Sequence, residues 1–401
     1  LLNWAISVGA IWLLLFKSLF PKPVLFLLPF TYFLLFEYTI VSRNYALCVI
    51  FAFYACHLLS QANINFYKLA FVLVLLANSH LFGLVLAVAM SLMLLWSFSE
   101  KSDLVSSLKQ YGYFILICLG GYLIAFVQII PPSDHFLTEM HNDAGIFSAF
   151  RINKLISIII RGTVHIPVFW EEHSWNSNLI LHFLPNWLKG LVSVAAWSVP
   201  LVVLFRKKKL LFLFYFTASS IAIFAYISPL ILAVRHSGFI FILLIVVFWL
   251  GNSTYFYDQS ERTISKQYSK LVSIYLTIQI VSSAIMFYTD IKRPFSEAQN
   301  LVEFINQKQL GDLPVVVTQN NGQAVSAYLQ KPVFYADRNE FGSFAIWNTS
   351  AFIIDKRIIE SQLIHFSKTH NEFLIASEQM IDQKLFGNCF DVEYLKTFDK
   401  S

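Results

Sequence analysis

Residues 187–228 read WLKGLVSVAAWSVPLVVLFRKKKLLFLFYFTASSIAIFAYIS. Two apolar runs, 187–205 and 210–228, flank the basic cluster Arg206-Lys207-Lys208-Lys209. A helix that crosses a bilayer needs ~20 mostly apolar residues, and Lys and Arg gather on the cytoplasmic side. The stretch therefore reads as two spanning helices joined by a cytoplasmic turn. Further apolar runs lie at 1–16, 24–36, 45–59, 69–77, 81–98, 111–130, 239–251 and 271–288. Together they predict a polytopic α-helical membrane protein with about ten membrane segments.

Composition agrees with that reading. Hydrophobic residues make up 57% of the 401 and charged residues 13%, against roughly 25% charged in soluble domains. A soluble core cannot absorb so much apolar surface, and a disordered chain would be polar. The net charge of +5 is modest, and its Lys and Arg sit between apolar blocks rather than on one basic face. Nucleic acid is therefore excluded as a partner. Cys48, Cys56 and Cys118 lie inside apolar runs and Cys389 stands alone near the end, so no disulfide framework is expected. The chain begins at Leu1 inside an apolar run with no charged flank, and the expectation is that an upstream segment precedes it.

Charge divides the chain in two. Residues 1–290 hold 18 Lys and Arg against 11 Asp and Glu, whereas 291–401 hold 11 against 13 and alternate as a globular domain does. The expected domains are a membrane helical domain, 1–290, and a soluble α/β domain, 291–401. In the latter, helices are predicted at 296–307, 322–329 and 360–369. Strands are predicted at 314–318, 332–335, 341–347, 351–354 and 373–376. It has no Gly-rich phosphate loop and no catalytic-triad spacing, so binding or structural support is expected of it.

With Arg206–Lys209 in the cytoplasm, counting outward puts the loop 131–185, the turn at Arg235-His236 and everything after Asp290 on the extracytoplasmic side. Counting back puts Lys101, Lys109, Lys68, Lys22 and Lys17 inside, and Asn78-Ser79-His80 and 37–44 outside. This assumes that 69–98 is a hairpin broken at Asn78-Ser79-His80; a single long helix would reverse the parity. Arg43, Arg235, His236 and His80 then share the outer side, with Glu37 and Asn78 beside them. Ionisable groups at membrane depth usually face a cavity or a partner, and the fork of Arg suits phosphate. One polar pocket for the phosphate of a lipid carrier is the functional reading. Alternatives stay open: Arg43 snorkelling to headgroups, a Glu37–Arg43 ion pair, and Asn78 and His80 as helix caps.

The loop 131–185 carries Asp134, His135, Glu139, His141, Asp143, His165, Glu171, Glu172 and His173. These are metal-ligand types in no metal-binding spacing, so a divalent metal is possible but no ligand is assigned. Residues 146–170 are amphipathic, with Arg151, Lys154 and Arg161, and predict an interfacial helix on the outer membrane face. Trp170 to Trp175 read as an interfacial aromatic belt or a sugar-stacking surface.

Three short motifs add a resemblance. Glu37-Tyr38-Thr-Ile-Val-Ser-Arg43-Asn44-Tyr45-Ala-Leu resembles the "ARNYAL" segment of GT-C-type membrane glycosyltransferases. Asn78-Ser79-His80-Leu-Phe-Gly83 is similar to their "NTHxFG" segment, and Arg235-His236-Ser-Gly238-Phe239 to an Arg-His turn of the protein-mannosyltransferase-like branch. The resemblance covers roughly 1–290. It implies a transferase moving sugar from a polyprenyl-phosphate donor to a glycan, lipid or protein acceptor at the extracytoplasmic face, in a bacterial inner membrane. It implies substrate contacts at Glu37, Arg43, Asn44, Tyr45, Asn78, His80, Arg235 and His236. The family's catalytic acid lies in a first outer loop, which here is expected upstream of Leu1. The rival readings are a transporter or flippase of a lipid-linked sugar, which calls for two similar halves that the sequence does not display, and a non-catalytic membrane assembly protein.

Overall fold

The computed structural model describes residues 2–41, 44–100, 104–130, 148–171, 174–227, 233–253, 266–293, 296–318, 322–346, 356–377 and 392–398. It divides into two compact units, one built from Leu1–Ile130 and Asp143–Thr289, the other chiefly from Asp290–Ser401.

The first unit is a helical bundle. Its opening elements are α1 (Leu2–Lys17), α2 (Lys22–Leu27), a π-helix (Tyr32–Ile40), α3 (Tyr45–Leu59), α4 (Phe66–Ser79), α5 (Leu81–Ser99) and α6 (Leu104–Ile129). They are followed by α7 (Ala149–Thr163), α8 (Leu179–Phe183), α9 (Asn186–Leu204), α10 (Lys208–Ile227), α11 (Val234–Ser237), α12 (Phe239–Gly251) and α13 (Lys266–Lys292). Among the described residues, seven stretches are long and apolar enough to cross a membrane: Lys22–Ile40, Leu81–Ser99, Tyr111–Ile129, Asn186–Leu204, Lys208–Ile227, Val234–Gly251 and Val272–Lys292. Against the ten expected, the remaining apolar runs form the shorter helices Leu2–Lys17, Tyr45–Leu59 and Phe66–Ser79. Local sequence explains their brevity. Asn65 caps the start of α4, accepting from the Lys68 amide, and its end is set by the extended backbone of His80.

The outer surface of the bundle is apolar. Leu116, Leu119, Leu123 and Phe126 of α6 and Trp187, Leu191, Val194 and Val202 of α9 are all exposed. Soluble monomers rarely expose contiguous apolar faces of this extent, whereas hydrocarbon solvates them. The core is equally apolar: α12, FIFILLIVVFWLG, is buried almost all round.

Residues 66–99 form a hairpin. His80 is its single extended residue, with φ −169° and ψ 156°. Phe66 at the start of α4 lies 5.4 Å from Phe98 at the end of α5, so the helices run antiparallel. Tyr111 stacks on Phe98 at 3.7 Å and brings α6 alongside. Close approach of α4 and α6 rests on Gly121, where a Cβ would lie 2.3 Å from a Val74 methyl.

Helix α7 packs against α9, α10, α11 and α12. Its Lys154 is buried, and a Cβ on Gly162 would meet the Ser237 carbonyl at 2.4 Å. The amphipathic stretch thus closes against the bundle through one face rather than only resting on a surface.

One end of the bundle gathers the basic cluster. Lys209 pairs with Glu100 at 2.5 Å, and the buried Lys207 ammonium donates to the Gly251 carbonyl at 3.0 Å, joining the ends of α5 and α12 to the α9–α10 turn. At the exposed Glu100 carboxyl, the hydrogen bond from Lys209 holds the pKa below the usual range.

The second unit carries α14 (Ala298–Gln307), β1 (Val315–Val317), α15 (Gln323–Leu329), β2 (Val333–Tyr335), β3 (Glu340–Gly342), α16 (Lys356–Ser367) and β4 (Leu374–Ala376). The sheet order is β3-β2-β1-β4, with β1 parallel to β2 and β4 and β3 antiparallel to β2. Val315, Val317, Val333 and Tyr335 pack with Ala298, Val302 and Ile305 of α14 on one face. Val316, Phe334 and Ala336 pack with Leu363 and Phe366 of α16 on the other. A strand covered on both faces is continuously apolar, which is why β1 reads Val-Val-Val. The strand predicted at 341–347 shrinks to the short hairpin arm β3, and the one at 351–354 lies outside the described residues.

The Gly121 contact yields a stability test. Val74 is β-branched and cannot swing aside cheaply, so Gly121→Ala is expected to cost about 1–3 kcal/mol by overpacking. Adding Val74→Ala should restore most of the melting temperature in detergent; equal melting of Gly121→Ala and the parent would contradict the packing.

Candidate functional site

At the end opposite the basic cluster, three distant sequence segments meet. The first is the π-helix, whose wide turns are visible in the Val41 amide bonding to the Phe36 carbonyl at 3.3 Å. It buries Glu37 and Tyr38. The second is the α4–α5 junction with the start of α3. The third is α11, the short turn bearing Arg235 and His236. Asn3 of α1 reaches the same end, donating to the Thr39 carbonyl at 2.7 Å.

Tyr38 links the first and third segments. Its hydroxyl donates to the Arg235 carbonyl at 2.8 Å. Asn176 holds the other side of the turn, accepting from the Val234 amide at 3.0 Å. Gly238 is required by this contact: a Cβ there would lie 2.2 Å from the Phe33 ring and 2.7 Å from the Tyr38 hydroxyl. Tyr45 links the first and second segments. It stacks on Tyr38 at 5.5 Å, packs tilted against His80 at 4.5 Å, and lies 6.2 Å from His236. Phe82 closes the group, 6.1 Å from His236.

The α4–α5 junction is built to be tight. A Cβ on Gly83 would meet the Leu76 carbonyl at 2.3 Å and the Cys48 sulfur at 3.1 Å, so only glycine admits this approach. Asn44 donates to the Ser79 carbonyl at 3.0 Å, pinning the start of α3 to the end of α4. His80 accepts from the Phe82 amide through Nδ1 at 3.2 Å and caps α5. Its neutral form therefore carries the proton on Nε2. Burial and then the nearby Arg235 charge push its pKa down to about 4.

Beneath this layer Tyr32 donates to Glu37 Oε2 at 2.8 Å. The fully buried His165 ring lies 4.2 Å from Tyr32, and among the described residues neither of its nitrogens meets a hydrogen-bond partner. Burial, then the Arg161 charge, push its pKa down to about 3. Helix α13 supports the stretch behind: Gln279 donates to the Thr163 carbonyl at 3.1 Å and Ser282 to the His165 carbonyl at 2.6 Å.

The structure thus brings Tyr45, His80 and His236 into ring contact and places Arg235 within electrostatic reach of His80. Asn44 acts as a tether. Asn78 turns to the helix framework, donating to the Val74 and Gly121 carbonyls at 2.8 and 3.2 Å. Glu37 faces Tyr32 in the interior, and Arg43 lies outside the described residues. Of the loop's metal-ligand types, His165 and Glu171 are described; Glu171 pairs with His182 at 2.8 Å. Among the described residues no three His, Cys, Asp or Glu side chains gather as a metal site. The aromatic cluster 170–175 is split, with Trp170 exposed and Trp175 packed on the core. Sequence reasoning overlooked Asn176 and Tyr32, which hold the site without any charge or motif to mark them. Beside Tyr38 and Thr39, a cavity of about 10 Å³ opens onto Ser7 and Ala46, room for about one water.

No protein-family model and no solved structure matches the chain. A partial similarity links it to the probable GTP-binding protein EngB of Buchnera aphidicola subsp. Baizongia pistaciae (strain Bp), 30% identical over 91 residues, or 23% of this chain. The chain spans 39% of the length of that relative. No glycine here is followed by lysine, so the Gly-Lys-Ser/Thr of a phosphate-binding P-loop is absent from the sequence. The similarity assigns no function.

The low His80 pKa sets a pH dependence. The unfolded histidine takes up its proton below about pH 6.5, the folded one only near pH 4. Stability is whole above pH 6.5 and is lost as pH falls toward 4, by about 2 kcal/mol from His80 at pH 5. His80→Asn keeps a capping acceptor without the titration. Its melting temperature should fall less between pH 7 and 5 than the parent's; equal falls would show that His80 is not neutral in the fold.

Proposed function

We propose that the chain is a GT-C-type membrane glycosyltransferase that moves a sugar from a polyprenyl-phosphate donor to an acceptor at the extracytoplasmic face. The observation that carries this is the meeting of the segments around Tyr38, His80 and Arg235 at one end of the bundle, with Arg206–Lys209 at the other. Segments that resemble the family's motifs thus share one end, and the charge rule makes that end extracytoplasmic. The shorter apolar helices complete a count of about ten membrane segments in this reading, and the second unit lies outside the cell membrane.

The chemistry follows from the residues. The departing group is a phosphate whose charge grows as the sugar leaves. Arg235 presents a fork of N–H donors to it, on a turn fixed by Tyr38, Asn176 and Gly238 so that little reorganisation is needed. Neutral His80, donating through Nε2, and His236 add polar contacts without a competing carboxylate. Glu37, held by Tyr32, sets the interior side of the mouth. The acid or base that activates the acceptor is assigned to a segment outside this chain's described site.

Two measurements test the reading. Sugar transfer from a polyprenyl-phosphate donor, assayed in membranes containing the protein, should fall about tenfold or more with Arg235→Lys, because a point charge replaces a bidentate fork. It should fall further with Arg235→Ala, in turnover as well as donor affinity. Full transfer by both variants at parental protein level would place the phosphate elsewhere. For topology, membrane-impermeant labelling of intact cells should modify a cysteine placed at Asn306 and spare one at Lys208. The reverse pattern would turn the bundle over and remove the site from the outer face.

A further inference from the structure

We propose that the carboxyl edge of the sheet in the second unit holds a sugar ring through two vicinal hydroxyls, with Asp337 as their acceptor. Three observations converge there. The first is topology. From β1 the chain passes through α15 to β2 on one side, and later returns through α16 to β4 on the other side of β1. Strand order reverses at β1, and in open α/β sheets ligands lodge beyond the carboxyl ends of the strands at such a reversal.

The second is position. The Ala336 amide donates to the Val317 carbonyl at 3.0 Å and ends the β1–β2 ladder, so Asp337 is the first residue past it. A firm turn holds it: the Arg338 amide donates to the Tyr335 carbonyl at 3.2 Å, and Asn339 takes the left-handed φ of 55° that closes the hairpin to β3. Asp337 therefore stands at the end of β2, about 20 residues past β1, where an acidic residue holds a ribose diol in dinucleotide folds.

The third is unmet bonding capacity. Among the described residues, both carboxylate oxygens of Asp337, the Tyr335 hydroxyl and Nη1 of Arg338 are buried without a well-formed hydrogen bond. Buried polar atoms in native proteins are overwhelmingly paired, and a carboxylate held only by the amides of Asp337 and Arg338 and the Arg338 charge keeps bonding capacity to spare. Four such atoms within residues 335–338 mark a place that a polar ligand completes. The Arg338 guanidinium lies 3.9 Å from the Tyr335 ring centre and donates through Nη2 to the Phe344 carbonyl at 3.1 Å, so it is held in place beside the carboxylate. Burial raises the Asp337 pKa, while the Arg338 charge and neighbouring amides oppose the rise.

The ligand class follows from this donor set. The two carboxylate oxygens accept one hydrogen bond each from adjacent hydroxyls. A phosphate would be repelled by the carboxylate, and a calcium-type cation needs six or more oxygens. Free pyranosides and the ribose of a ribonucleotide share the diol.

Calorimetric titration of the purified full chain in detergent with methyl α-mannopyranoside and with adenosine 5′-monophosphate, each against its 2-deoxy or 2′-deoxy analogue, tests the proposal. The expected result is saturable binding of at least one diol probe, weakened tenfold or more both by the missing hydroxyl and by Asp337→Asn. Binding of the pyranoside alone identifies a glycan site; binding of the nucleotide alone identifies a ribonucleotide site. Asp337→Asn keeps the shape and removes a buried charge, so it should melt no lower than the parent. Should it fail to fold, Tyr335→Phe, which loses one hydroxyl, is expected to weaken binding several-fold. No saturable binding of either probe, or undiminished binding by the folded variants, overturns the proposal.

Discussion

The hydrogen bond from the Tyr38 hydroxyl to the Arg235 carbonyl joins segments 197 residues apart in sequence. In a bilayer such a bond has no water competing for either partner, and an unsatisfied carbonyl is expensive. It also fixes geometry. With the turn held, Arg235 and His236 have one orientation, and the Tyr45, His80 and Phe82 rings pack around it. The glycines at 83 and 238 serve the same end by removing the only atoms that would hold the segments apart. The arrangement is thus preorganised by backbone contacts and ring packing.

The polar layer below shows what that order costs. His165 is wholly enclosed, its two nitrogens unpaired among the described residues, and Glu37 is enclosed beside Tyr32. Neither placement favours stability by itself, since desolvated polar groups require partners. A fold that keeps them is holding polarity inside an apolar bundle, as membrane proteins do where a substrate path or a mouth needs it.

Much of the architecture was legible from residue order. The Lys and Arg asymmetry and the break at Asn78-Ser79-His80 foretold a hairpin at 69–98, and the Val-Val-Val run foretold a strand at 314–318. The helix 298–307 and the strands at 315–317, 333–335 and 374–376 fell where alternation and punctuation put them. Other features were hidden for physical reasons. Amphipathicity in α7 says that one face is apolar but not what covers it, and the helices that pack on it, α9 to α12, come later in the chain. The roles of Tyr32 and Asn176 come from long-range contacts of uncharged side chains, which carry no periodic signal. Asn78 stood in a motif and turned out to bond helix carbonyls, because a short amide is as useful for bracing α4 to α6 as for touching a substrate.

The π-helix at Tyr32–Ile40 has a consequence for how the gene can change. A wide coil holds one residue more per turn than the α form, seen here in the Thr39 hydroxyl and the Val41 amide each reaching back five residues. Losing a single codon between Thr31 and Glu37, with the pitch unchanged, would shorten the coil by one residue. Everything after it would then swing about the axis, carrying Glu37 away from Tyr32 and Tyr38 away from Arg235. Insertions and deletions that a surface loop absorbs without effect are therefore forbidden in this stretch. Its length, as much as its lettering, is under constraint, and lineages of this protein should differ there by substitution alone.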